Sequence, residues 1–281
     1  MENNDVELVT SGIDWVSCTL DNREVDYHVW RGDVIYALEQ VAKQGYEVQK
    51  RRLLGYEGLS AGNCFVGEND RGTYCQFTGE RADWAYDYTI HPKTHYSRID
   101  VQTTVKYREY QANIGKAAYR DSIRGNELLP AGRKRKIWII VGSDGGDTCY
   151  IGSASSEQRC RIYNKERQSE DVSYTRAWRY EVVFKNDLAC SFARNLSGRA
   201  NSQSQFCLET CHNWLLTRGV RLQGVLLQST IALPLQRSLP TDVERKLEWL
   251  ETQVKPTIKY LCELGFRDTL LASLFPIQAE D

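Results

Sequence analysis

No run of about 18 consecutive apolar residues, the length needed to cross a bilayer, occurs in this 281-residue chain. A hydrophobic membrane-spanning helix is excluded on that ground. The opening MENNDVELVT is acidic and polar where a signal peptide would be basic and then apolar, so the protein is expected to stay in the cytoplasm. Cys-x-x-Cys pairs are also missing. The nine cysteines are scattered and odd in number, which reads as reduced thiols filling small core positions rather than a zinc ribbon or a disulfide scaffold. No glycine-rich stretch ends in Gly-Lys-Ser/Thr, so ATP use through a phosphate loop is not supported. The four histidines, His28, His91, His95 and His212, include no His-hydrophobic-His pair, so a paired-histidine metal site is absent. Solenoid repeats and low-complexity tracts are lacking too.

Net positive charge is the last thing lacking: the formal balance is −1. The charge is nevertheless segregated along the chain. Residues 1–97 hold 9 Lys/Arg against 16 Asp/Glu, whereas residues 98–136 hold 10 against 4 and residues 159–199 hold 9 against 5. A basic middle third suits a phosphate-binding surface, although uneven scatter of solvated charge also produces such a pattern.

Periodicity predicts an α+β protein with a largely antiparallel central sheet, flanking helices and a helical C-terminal part. Strands are expected at 13–20, in the segments NCFVG and GTYCQFTG, and at 97–105, 148–152, 159–165 and 176–184. The apolar run IWIIVG (137–142) is expected to be a central strand, followed by hairpin-turn chemistry in SDGGD. Helices are expected at 33–45, at 107–125 with a glycine C-cap, at 205–219 and at 242–265, where Pro256 starts or kinks the helix. We expect a catalytic unit over residues 1–200 and a helical region over 201–281, packed on the same domain or beside it.

Side chains alternate along a strand, so three strands each present a polar row. Arg98, Asp100, Gln102 and Thr104 share one face, Arg179 and Glu181 another, and Arg159, Arg161, Tyr163 and Lys165 a third. Each Arg-x-acid pair reads either as an exposed salt-bridged face or, jointly, as two carboxylates able to hold a hard divalent cation. A phenol among cations is either a rim residue or a nucleophile in a field suited to a phosphodiester.

TCYIGSASSEQRCRIYNKERQ (148–168) followed by WRYEVVFKNDLA (178–189) resembles the replication initiation factor family of rolling-circle plasmids and filamentous phages. That family's pattern is Thr-x-Tyr-x-Gly-Ser, then Arg-x-Tyr-x-Lys, then Arg-x-Glu, and the resemblance extends from about Gly12 to Gly265. It implies that Tyr163 is the nucleophile of a metal-dependent DNA nicking and closing reaction that leaves a 5′-phosphotyrosine. It implies also that Asp100 and Glu181 hold Mg²⁺ or Mn²⁺, and that Arg161 and Lys165 neutralise phosphate oxygens. Many relatives carry further acids after the Arg-x-Asp; here Gln102, Thr103 and Thr104 stand there, so Asp14 or Gln102 is expected to complete the site. Arg98, Arg159, Arg179 and the run Arg133, Lys134, Arg135, Lys136 are expected to contact DNA. The implied partners are origin DNA and a host helicase, and the C-terminal helices would support a homodimer. A relaxase of the same chemistry and a non-enzymatic DNA-binding regulator are the alternatives.

Overall fold

The computed structural model describes residues 6–129, 134–142, 147–197, 202–222, 225, 250 and 254–267. Ten strands form one sheet: β1 (Val6–Asp21), β2 (Gln49–Leu53), β3 (Tyr56–Ala61), β4 (Cys64–Asn69), β5 (Gly72–Thr78), β6 (His95–Tyr107), β7 (Ile137–Ile140), β8 (Thr148–Ile151), β9 (Gln158–Asn164) and β10 (Ala177–Lys185). Their order is β2-β3-β4-β5-β1-β6-β10-β9-β8-β7. Every neighbouring pair is antiparallel. Two meanders therefore flank a long central pair, β1 and β6, whose partners lie far apart in sequence.

One face of this sheet is the core. Ile13, Val101, Ile162, Tyr180 and Val182 are all buried on it, under helices α1 (Tyr27–Lys43), α2 (Glu80–Ala85), α3 (Ile114–Glu127), α4 (Asp187–Ser197) and α5 (Gln203–Leu216). In α1 the apolar side chains Trp30, Val34, Ala37, Leu38 and Val41 recur at helical spacing and are all buried, which is why that segment folds as an amphipathic helix. It begins earlier than expected from the sequence. Tyr27 shares a 2.7 Å hydroxyl hydrogen bond with Thr73, and the Trp30 indole donates to the Thr89 carbonyl, so aromatic anchors extend it by two turns.

The helix expected over 107–125 is shorter at its start: β6 runs on through Tyr107, and α3 begins at Ile114. Gly125 lies inside α3 rather than at its cap. A Cβ there would stand 2.5 Å from the Arg218 carbonyl oxygen, so the glycine permits close approach of the turn after α5. The IWIIVG strand is another correction. It forms β7 at the sheet edge, not the centre, because it pairs only with β8, at the end of the meander that runs outward from β10 through β9 and β8; α3 covers one face, and Ile140 is 55% exposed.

Helix α5 packs on β1, β6 and β10, with Phe206, Cys207, Cys211 and Leu215 buried. The compact unit thus runs past residue 200 to Arg237, and Ser238–Asp281 forms a second unit. Within the second unit one helix, Lys255–Glu263, is described; Pro256 lies in its first turn, where a missing N–H costs nothing. The remainder of the expected 242–265 helix and most of SDGGD fall outside the described residues. All nine cysteines are free thiols. Among the described residues no helix is long and apolar enough to cross a membrane.

Pairing of β1 with β6 jumps from Ile13↔Val101 to Trp15↔Asp100. Asp14 is the additional residue of a β-bulge, a device that re-aims a side chain. Asp83 of α2 pins the bulge by accepting from the Ile13 backbone N–H at 2.7 Å. Gly12 leaves room for that carboxylate, since a Cβ would sit 2.5 Å from Asp83 Oδ1. Gly12→Ala should therefore destabilise the fold by about 1–3 kcal/mol through overpacking; an unchanged thermal midpoint would show that Asp83 yields freely.

Candidate active site

The three polar rows meet on the sheet face opposite the helices. Register places Glu181 of β10 across from Gln102 of β6 and Arg161 of β9, and Arg179 across from Thr104 and Tyr163. The Tyr163 hydroxyl donates to Glu181 Oε2 at 3.2 Å, and Arg161 Nη2 lies 2.6 Å from Glu181 Oε1. Glu181 is 0% exposed and Tyr163 only 3%. Asp100 receives a two-pronged ion pair from Arg98, at 2.7 and 2.5 Å, and the same guanidinium lies over the Trp15 ring. Asp14, turned inward by the bulge, pairs with Arg179 at 2.8 Å, while Arg179 Nε donates to Thr104 Oγ1.

Three carboxylates and three arginines thus alternate across four strands. Burial raises the Asp100 carboxyl to about 7, against the opposing pull of Arg98 and with the help of neighbouring Glu181. Asp14 is also raised, by burial outweighing Arg179. Burial and the charge of Glu181 push the Tyr163 phenol upward, although Arg179 and Arg161 oppose them. Desolvation thus outweighs the pull of the two arginines on this phenol in the resting protein. Its hydroxyl keeps its proton and points it at Glu181.

Lys165 lies at the margin of the cluster, within electrostatic reach of Asp14 and Glu181. Its ammonium lies over the ring of Tyr174, where burial and Arg179 lower its pKa, so the cations beside Tyr163 are Arg161 and Arg179. Gln102 is half-buried, with its Oε1 accepting from Thr104. Arg159 shares the face but sits farther along β9, opposite Val183. Lys134, Arg135 and Lys136 lead into β7, the Arg135 backbone held by the Asn126 side chain; Arg133 lies outside the described residues. His212, Cys207 and Cys211 are buried on α5. Among the described residues no group of three or more His, Cys, Asp or Glu is arranged to hold a metal ion.

Sequence reading missed Tyr174. Its hydroxyl donates to Glu80 at 2.8 Å, and both Lys165 and Arg179 lie over its ring. With Gly12, Asp14 and Arg179 it lines a cavity of about 370 Å³ beside the cluster. Unlike Tyr163 it has a cation at +2 only, Arg176, with Val172 at −2, so spacing carries little signal; its partners arrive from the end of β9, from β10 and from α2.

A solved structure described as a rolling circle replication initiator protein from Geobacillus stearothermophilus is similar, with 17% identity, a TM-score of 0.47, and coverage of 78% of this chain and all of that one. No curated protein matches the chain in sequence. The family profile described as replication initiation factor (Rep_trans) matches residues 78–274, a span that includes Asp100, Tyr163 and Glu181 but not the bulge at Asp14. With most of its length matched, this chain belongs to the replication initiation factor family.

Proposed function

We propose that the protein starts rolling-circle replication by nicking one DNA strand with Tyr163. The observation that carries this reading is the Tyr163–Glu181–Arg161 triad, a buried phenol whose proton is already directed at a buried carboxylate that a partly exposed arginine also holds. The phenol oxygen attacks the scissile phosphorus and its proton passes to Glu181 Oε2. The bond from phosphorus to the 3′ oxygen breaks, and that oxygen takes a proton from water to become the 3′-hydroxyl primer. The product is a 5′-phosphotyrosine, and reversal of the same steps closes the strand.

Arg161 and Arg179 are the groups placed to meet the non-bridging oxygens. In the resting protein both are engaged with carboxylates, so an incoming phosphodiester competes with Glu181 and Asp14 for them. Charge-assisted hydrogen bonds to phosphate are strong enough for that exchange.

Asp100 and Glu181 fit a divalent cation. They are adjacent hard oxygen donors on neighbouring strands, and Asp100 is a carboxyl raised to about 7 by burial and by its like-charged neighbour, an arrangement that a cation relieves. Mg²⁺ keeps several waters and needs only one or two carboxylates. Asp100 and Glu181 would hold it, with Gln102 or Asp14 as a further oxygen donor. When bound it would supply charge compensation for the phosphorane and for the leaving oxygen.

The test is incubation of the full chain with a supercoiled plasmid carrying its origin, with Mg²⁺, Mn²⁺ or chelator. Nicked circles and a protein–DNA adduct mapped to Tyr163 are expected with either metal. Binding without nicking under every condition would favour a non-enzymatic regulator. The relaxase alternative shares the chemistry and differs in the partners recruited, and a host helicase and a homodimer belong to the same proposal.

A further inference from the structure

The register that assembles the triad continues outward to a feature it does not use. Trp138 of β7 lies opposite Tyr150 of β8, Tyr150 opposite Arg161 of β9, and Arg161 opposite Glu181. The four side chains form one row on the helix-free face, since α3 packs its Ile114 and Ala118 into the core on the other side. The Trp138 and Tyr150 rings are parallel, 4.9 Å apart with an 8° interplanar angle. Both are half-buried rather than sealed in the core. The exposed Lys136 holds its ammonium 5.7 Å from the Trp138 ring centre, a loose contact that an incoming ring can displace.

We infer that Trp138 and Tyr150 form a stacking platform for unpaired bases of single-stranded DNA beside the scissile phosphate, with Lys136 moving from the indole face to a backbone phosphate. The inference rests on the nicking reading for its choice of ligand. Strand spacing of about 4.8 Å places Tyr150 one strand and Trp138 two strands from Arg161, so a strand whose phosphate meets Arg161 carries its next bases over the aromatic pair. Aromatic side chains bind bases without reading sequence, because every base has a π face, and flanking cations track the backbone. A purely structural role would place these rings under a helix; instead the edge strand offers them to solvent next to Lys136, Arg159 and Arg161.

The test uses the full chain carrying Tyr163→Phe, so that no strand is cut, and two probes of equal phosphate count: an oligo(dT) and its wholly abasic counterpart. Stacking should make the parent bind oligo(dT) roughly 5- to 100-fold more tightly than the abasic strand. Trp138→Leu with Tyr150→Leu should bring that preference close to unity while abasic binding stays the same, and Trp138→Phe should retain most of it. Lys136→Gln should weaken both probes equally. A parent without base preference, or a double variant that keeps it, overturns the platform. Should the leucine variants fail to fold, Trp138→Phe and Trp138→His decide, since only the first keeps a full stacking surface. A protein that shows the preference yet never nicks its origin plasmid would refute the nicking reading and leave the platform standing.

Discussion

Tyr163→Phe is expected to abolish the proposed nicking and the covalent adduct, a loss of at least about 10³-fold, while the protein should still fold and bind DNA. The substitution removes one oxygen from a ring that otherwise has Arg161 of its own strand over it and lies between Arg179 and Thr148 of the neighbouring strands. The folding cost should be about 1 kcal/mol, that of one ordinary hydrogen bond, because Glu181 keeps its 2.6 Å contact with Arg161. Mass spectrometry of the adduct and a filter-binding assay measure the two halves of this result. The rival nucleophile is Tyr174, which also sits among cations but gives its proton to Glu80 on α2. An adduct mapped to Tyr174 would reverse the assignment and move the reaction to the neighbouring cavity.

The second large effect is expected at Glu181. Glu181→Gln keeps the shape but supplies a single acceptor oxygen, so it can serve Tyr163 or Arg161 and not both. Nicking should fall by about 10²–10⁴-fold, in line with loss of a positioned proton acceptor. Stability should fall as well, by about 1–3 kcal/mol, because Arg161 loses a charged partner yet still reaches solvent. Two neighbouring carboxylates alone would repel each other, and removing either would then cost little. The geometry changes that expectation, since each carboxylate already has its own arginine. Asp100→Asn should be the milder change in stability near neutral pH, because a carboxyl raised to about 7 is partly protonated there. Chemical denaturation of the two variants side by side checks the ranking; a greater loss from Asp100→Asn would place the main charge compensation at Arg98 instead.

Much of this arrangement was legible in alternation. The rows at 98–104, 159–165 and 179–181 followed from side-chain period alone, and the strands align those rows on one face. What alternation cannot show is which strands are neighbours. β10 inserts between β6 and β9, and this places Tyr163 beside Glu181 rather than beside Lys165. Asp14 shows a second limit: the bulge breaks the period of two, so its direction could not be counted from Ile13. IWIIVG misled for a related reason, because a run of apolar residues records that both faces are partly covered and does not record whether both edges are paired. Tyr174 ends a single 3-10 turn, Val172–Tyr174, too short to carry a period, and its partners come from three separate elements.

The strand order also sets when this chemistry can first exist. β10, at residues 177–185, is the last strand in sequence yet lies near the middle of the sheet, and Arg179 reaches back across 165 residues to Asp14. A ribosome adds residues at about 5–20 per second, so for several seconds of synthesis the edge of β6 has no partner on that side. A chain that stops before residue 177 carries Tyr163 without Glu181 or Arg179, and with an open strand edge inviting mispairing. Incomplete translation products would thus be prone to aggregation and would lack the proposed nicking site, which would confine that cleavage to chains finished through the middle of their own sheet.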